Sequence, residues 1–476
     1  MANQKTEVSQ DLDANILKSR DDPFPVNFIY EEESTADDPK FLLCKGSGCS
    51  WAKPGESFGT RTIRDRIEPW LTALCQSEHL SLLVGSGLSH ALQHFVSHEE
   101  LSGMSVVDFG KFQNMINNES KKSAEAAGRN PGNIEDQLRV ASELLRGLEI
   151  LGTTNKSVQI RANELREKIS SVMTEFAASV LNGEQIFISA DEKKREDAFN
   201  YLVSFLMSFA SRSGTRDRLQ IFTTNYDRLI EVGAEVAGMH LLDRFVGSIA
   251  PIFRSSRLDI DMHYNPPGIR GEPRYLEGVA RFTKLHGSLD WVECDRNIRR
   301  VGVPFGAKDL TPYLQIPGST SADAMNLMIY PNAAKDRETA AYPYVELFRD
   351  FAAAACRPNH TLVTFGYSFG DEHINRVIED MLNIPSTHLV VISYDDPLQR
   401  IMNTYKRLGR HAQISLLIGD HIGDFKTLVD HYLPKPAIDR TTFRMAELLR
   451  SRLGAKPDGS DDQQKSDAEM PRAKNE

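Results

Sequence analysis

Cysteine is scarce in this chain. The five present, Cys44, Cys49, Cys75, Cys294 and Cys356, include no Cys-x-x-Cys pair. That spacing excludes the usual structural zinc sites and a disulfide-stapled secreted fold, so no metal is expected. Cys44 and Cys49, either side of Lys45-Gly46-Ser47-Gly48, come nearest to a pair. Long apolar runs are also missing, and Met1 is followed by polar residues rather than a signal-type apolar stretch. A cytoplasmic protein without a membrane partner is the expectation. No G-x-x-x-x-G-K-[ST] occurs, which argues against a P-loop ATPase. An excess of basic charge is lacking too, since the net charge is −10. Ten acids against four bases fall within residues 1–40, and six against four after Gly454, leaving the middle near neutral. Direct nucleic-acid binding therefore has no visible electrostatic footprint.

What is present is a rhythm. Short apolar runs, HLSLLVG (79–85), LQIFTT (219–224), RFTKLHG (281–287), HTLVTFG (360–366), HLVVISY (388–394) and ISLLIG (414–419), read as buried strands. Helical patterns follow several of them. Strands that are apolar throughout, alternating with helices, predict a Rossmann-like, doubly wound parallel sheet. Residues 1–60, acidic and rich in Pro and Gly, read as a poorly ordered extension. Residues 61–436 form the expected α/β domain, and 437–476 a C-terminal helix and disordered tail. A helical insertion interrupts the domain at about 110–212. One apolar stripe runs Ile134, Leu138, Ala141, Leu145, Leu148, and a second runs Val158, Ala162, Leu165, Ile169, Val172, Phe176. Asn133 is the expected N-cap, with Gly152 and Gly183 as stops. The insertion reads as a hairpin packed on the core or as a partner interface.

Ligands of doubly wound sheets bind beyond the carboxyl ends of the strands. Four segments place polar residues there. Gly85-Ser86-Gly87-Leu88-Ser89 ends a strand, and its glycines allow either a plain tight turn or close approach to a pyrophosphate. The third glycine of a dinucleotide fingerprint is replaced by His90, which weakens a hydride-transfer reading. Thr224, Asn225 and Asp227 leave the next strand together, more polar groups than one helix cap requires. His286-Gly287-Ser288 ends a third strand, as a satisfied core histidine or as a general base. Gly366 and Ser368 end the fourth.

That fourth turn also fits a rival. Gly366-Tyr367-Ser368-Phe369-Gly370 matches G-x-S-x-G, the nucleophile elbow of α/β-hydrolases. Asp395 or Asp396 and then His421 complete the order Ser, Asp, His. A serine esterase would, however, leave the first turn and the Thr-Asn-Tyr-Asp cluster without a role.

Taken together and in this order, GSGLS, TTNYD, KLHGSLDW and FGYSFGDEHIN resemble the sirtuin-like NAD-consuming family. More narrowly, they resemble the sirtuin-like domains of bacterial anti-phage systems that act with a HerA-type hexameric ATPase. The similarity spans roughly residues 75–420. It implies that Gly85, Ser86, Gly87 and Ser89 cradle the NAD+ diphosphate and adjoining ribose, although Ser86 stands where the family often has alanine. Thr224 would be a further cofactor-binding residue. Asn225 would orient the nicotinamide ribose or an attacking water, Asp227 would hold the carboxamide, and His286 would be the base. Gly366 and Ser368 would line the adenosine side. The zinc module of deacylating sirtuins is missing, so the resemblance favours NAD+ glycohydrolysis to nicotinamide and ADP-ribose. The expected role is an abortive-infection effector that depletes NAD+ as a homo-oligomer, with a HerA-type ATPase as partner. The alternatives are the Ser368 esterase and a non-catalytic NAD or ADP-ribose sensor.

Overall fold

The computed structural model describes residues 14–435, apart from 20, 33, 36, 98–100, 102–104, 127–131, 213–215, 257–259, 265–273 and 317–341. Hydrophobic alternation turns the start of this range into sheet. β1 (Asn15–Lys18), β2 (Val26–Tyr30), β3 (Lys40–Leu43) and β4 (Phe58–Gly59) pair antiparallel in succession. Leu17, Val26, Phe28 and Phe41 are buried. Phe28 meets Phe41 and Phe58 edge-on, with ring centroids 5.3 and 5.6 Å apart. The expectation of poor order for residues 1–60 is thus corrected over the described part. Acids such as Glu32, Asp37 and Asp38 fall in exposed connections, while the apolar residues keep the period of two that buries one face of a strand. Asp22, which is buried, is paired with Arg66 at 2.7 Å.

The chain then alternates. α1 (Thr60–Cys75) leads to β5 (His79–Val84) and α2 (Gly87–Val96). Four helices follow: α3 (Gln113–Ala126), α4 (Ile134–Gly152), α5 (Lys156–Ser189) and α6 (Glu192–Ala210). β6 (Leu219–Thr223), α7 (Leu229–Val236) and β7 (His240–Leu242) return the chain to the sheet. Short strands β8 (Phe245–Val246), β9 (Ile252–Phe253), β10 (His263–Tyr264) and β11 (Arg274–Tyr275) precede β12 (Val279–Lys284). β13 (Trp291–Cys294) and β14 (Asn297–Arg300) come next. The last section runs α8 (Tyr344–Ala355), β15 (His360–Phe365), α9 (Glu372–Leu382), β16 (His388–Ser393), α10 (Arg400–Leu408) and β17 (Ile414–Ile418).

An eleven-stranded sheet has the order β4-β3-β2-β1-β17-β16-β15-β5-β6-β12-β7. Every pair from β17 to β7 is parallel. Successive residues of these strands bury opposite ways: Leu82 and Val84 join one core and Leu83 the other. The result is a Rossmann-like α/β fold with helices on both faces. From β5 the chain winds one way through β6 and β12, and from β15 it winds the other way through β16 and β17. The reversal point is therefore the β5–β15 boundary, where doubly wound sheets open a crevice.

Helices α3 to α5 share a further core, in which Leu138, Ala141, Leu165, Ile169 and Val172 meet Tyr226 and the β13–β14 segment at Leu289, Val292 and Val301, whereas α6 buries Leu202, Phe205 and Leu206 in the core of the main sheet. Asn133 caps α4 in a reciprocal capping box with Asp136. Gly152 ends α4, but Gly183 does not stop α5, contrary to the sequence reading. A Cβ there would lie 3.0 Å from Leu101, so the glycine makes room for a neighbour inside the helix. The first compact unit ends at Pro434, and the expected C-terminal helix and tail lie outside the described residues. Among the described residues, no helix is long and apolar enough to cross a membrane.

Three buried or half-buried histidines give the fold an acid limit. His360 Nε2 lies 2.9 Å from Ser81 Oγ, His388 Nε2 2.9 Å from Ser415 Oγ, and His421 Nε2 2.7 Å from Tyr432 Oη. Burial pushes their pKa values down, to about 3 for His360 and about 4 for His388 and His421. In the unfolded chain each titrates near ~6.5. Below that pH the unfolded state binds more protons than the folded state, so stability falls as pH falls from about 6.5 towards 4. Urea midpoints should drop across this window. His421→Gln, which can still hydrogen-bond Tyr432, should make the slope shallower by up to about 1.4 kcal/mol per pH unit.

Candidate active site

Two turns cross at the reversal point. β5 runs into Gly85-Ser86-Gly87 and β15 into Gly366, and strand register aligns Val84 with Phe365. The Gly85 N–H donates to the Phe365 carbonyl at 2.9 Å and the Gly87 N–H to the Gly366 carbonyl at 3.1 Å. A Cβ on Gly85 would lie 2.4 Å from the Gly366 oxygen, and one on Gly87 2.5 Å from Gly366 Cα. Gly366 itself has φ +59°, which disfavours any side chain. These glycines are required first by each other, since no residue with a Cβ lets the two backbones touch.

The same register carries two more strand ends to this edge. Val84 pairs with Thr223, and Thr223 with Lys284. Asn225 and His286, each two residues beyond its strand, therefore leave neighbouring strands at one level. They line a single cavity of about 290 Å³ together with Gly85, Ser86, Ser89, Thr224, Asp227, Gly366 and Ser368. Gly87 lines an adjoining cavity of about 800 Å³. The two cavities share Ser86, His90, Gly366, Ser368 and Arg400.

Asn225 is nine-tenths buried and held from three directions. Its Nδ2 donates to the Gly85 carbonyl and to Ser89 Oγ, both at 3.0 Å, and its N–H donates to Thr223 Oγ1 at 3.0 Å. Its Oδ1 accepts no hydrogen bond from the described residues. The Ser89 hydroxyl donates to Asp227 Oδ2 at 2.6 Å, and Asp227 Oδ1 accepts the Leu229 N–H at 3.2 Å. The segment predicted to cradle a diphosphate thus also fixes the two polar residues of the next turn. His286 Nε2 lies 2.8 Å from Oδ2 of Asp371, a buried carboxylate at the start of α9.

Several supports were not singled out from sequence. Lys284, 2% exposed, reaches under the Asn225–Arg228 turn to the Tyr226 carbonyl at 3.5 Å, to the Asp227 carbonyl, and to Glu231 at 2.9 Å. Burial raises the Glu231 pKa to about 7, with Lys284 opposing the shift. From α4, Glu135 accepts the Tyr226 hydroxyl at 3.3 Å. From α5, Glu184 accepts the Arg228 N–H at 2.9 Å and its guanidinium at 3.1 and 2.6 Å. Glu135, Asp136, Phe176, Val180 and Glu184 make the insertion one wall of the smaller cavity. A charged residue inside an apolar strand, as in RFTKLHG, was a readable sign for Lys284. The glutamates sit among many surface acids of amphipathic helices and carried no such sign.

The hydrolase triad does not assemble. His421 donates or accepts at Tyr432, packs 4.6 Å from the Phe41 ring, and lines neither cavity. Asp396 uses both oxygens on the Ile401 and Met402 N–H groups at the start of α10. Left-handed backbone occurs at Gly366 and Phe369, not at Ser368, so the strained serine of an elbow is missing.

No curated protein matches the sequence. The model of one family, described as the SIR2-like domain, matches residues 219–414, a stretch that holds Asn225, Asp227, His286, Gly366 and Ser368 and begins after Ser89. That match makes residues 219–414 similar to the SIR2-like domain, and the Rossmann-like sheet with a cavity at its reversal point is consistent with a sirtuin-like, NAD-related fold there.

Proposed function

We propose that the chain is an NAD+ glycohydrolase. The observation that carries this reading is the shared cavity: Asn225 and His286 line one hollow, and a second adjoins it across Ser86, Gly366 and Arg400. A dinucleotide with its nicotinamide ribose in the smaller cavity and its adenosine in the larger would pass its diphosphate between Ser86, Gly366 and Arg400. The start of α2 adds the positive end of its dipole there.

Breaking the bond between ribose C1′ and nicotinamide builds positive charge on the sugar, and nicotinamide leaves neutral with the bonding pair. Little acid catalysis is needed. The chain must hold the ribose, fix the carboxamide and take one proton from water. Asn225 Oδ1 is the acceptor for the ribose or the water, Asp227 the partner for the carboxamide, and His286 the base. The water oxygen bonds to C1′ and its proton passes to His286.

The wider role in this proposal is an anti-phage effector that depletes NAD+ as an oligomer beside a HerA-type ATPase. Ile150, Leu151 and Ile160, exposed around the α4–α5 connection, support a protein contact at the insertion. The purified chain, alone and mixed with candidate ATPases, should release nicotinamide from NAD+. Binding of NAD+ without release under every mixture would replace the enzyme with a sensor.

A further inference from the structure

We propose that Asp371 is a positioning residue for His286, holding the imidazole as the Nε2–H form with its Nδ1 lone pair turned to the cavity. This rests on His286 being the base. An ionised carboxylate only accepts hydrogen bonds, so the 2.8 Å contact with Asp371 Oδ2 requires the proton on Nε2. The other ring nitrogen then carries the lone pair, and it makes no hydrogen bond to a described residue.

Asp371 is held still at the head of α9. Its Oδ1 accepts the N–H groups of His373 at 3.0 Å and Ile374 at 3.4 Å, which cap α9. The first turn of a helix favours negative charge. Tyr367 donates its hydroxyl to the Asp371 carbonyl at 3.1 Å, fixing the backbone. One carboxylate therefore ties the histidine of one strand end to the helix that follows Gly366. When His286 takes a proton from water on Nδ1, the imidazolium has Asp371 as its counter-charge, and neither the ring nor the carboxylate has to shift.

A plain helix cap is the competing role, and Asp371→Asn separates the two. The asparagine carbonyl still caps α9, but its amide faces Nε2 with a donor and selects the Nδ1–H form. Nicotinamide release by Asp371→Asn should fall about 10²-fold or more in kcat, with KM little changed and the melting temperature retained. Nitrogen NMR of histidine-labelled protein, with His286 assigned by its loss in His286→Ala, should show Nε2–H in the wild type and Nδ1–H in Asp371→Asn. This signal is read without turnover. Unchanged kcat together with an unchanged Nε2–H signal would overturn the positioning role alone. Full turnover by His286→Ala would instead overturn the catalytic reading of the histidine.

Discussion

His286→Ala is expected to lower nicotinamide release by about 10²–10⁴-fold, the range for loss of a positioned general base. The fold should survive. His286 is only partly buried and makes one hydrogen bond, while Asp371 keeps both backbone donors of α9 after the ring is removed. Circular dichroism and melting on the same preparation separate lost chemistry from lost structure. The size of the effect depends on where β12 puts the ring. Its register with β6 sets His286 level with Asn225, and Asn225 is locked by Gly85 and Ser89. A ribose held by one is therefore within the cavity of the other.

Glu184→Ala is expected to destabilise the chain by about 3–5 kcal/mol, the usual cost of leaving a buried charge without its partner. Arg228 would keep its contacts to the Val303 and Pro304 carbonyls but lose its counter-charge. Burial pushes the Glu184 carboxyl upward while Arg228 opposes the shift, and the cost of desolvating two buried charges offsets much of their attraction. Replacing both residues with methionine should accordingly recover most of the loss. Urea unfolding of the single and double variants measures the difference. Because Glu184 lies on α5 and Arg228 closes the Asn225–Arg228 turn, the single variant should also loosen the loop that presents Asn225. That link makes the insertion a lever on the site as well as its wall.

Much of this was legible in the residues. Short apolar runs that give way to polar residues or glycine mark strands whose carboxyl ends carry function, and the six runs correspond to six of the seven strands of the parallel block, all but β7. Period-three-and-four stripes gave α4 and α5, and Asn133 gave a cap. The N-terminal strands escaped notice because acids in the turns dominate their composition, whereas four aromatics spaced far apart make their contacts. Gly183 misled because a helix interior tolerates glycine where a neighbour needs the space. Asp371 was visible only as part of a crowded Asp-Glu-His run, and its pairing with a histidine 85 residues away depends on which strands are adjacent. Glu135 and Glu184 are of the same kind. Local pattern announces an element, while a contact across elements waits on topology.

The central claim is spatial, and a crystal structure of the chain with ADP-ribose tests it most directly. The account predicts the reactive ribose in the smaller cavity, with C1′ facing Asn225 Oδ1 and His286 Nδ1, and the diphosphate crossing at Ser86, Gly366 and Arg400. Product bound with that ribose in the larger cavity, or away from the β5–β15 boundary altogether, would contradict it.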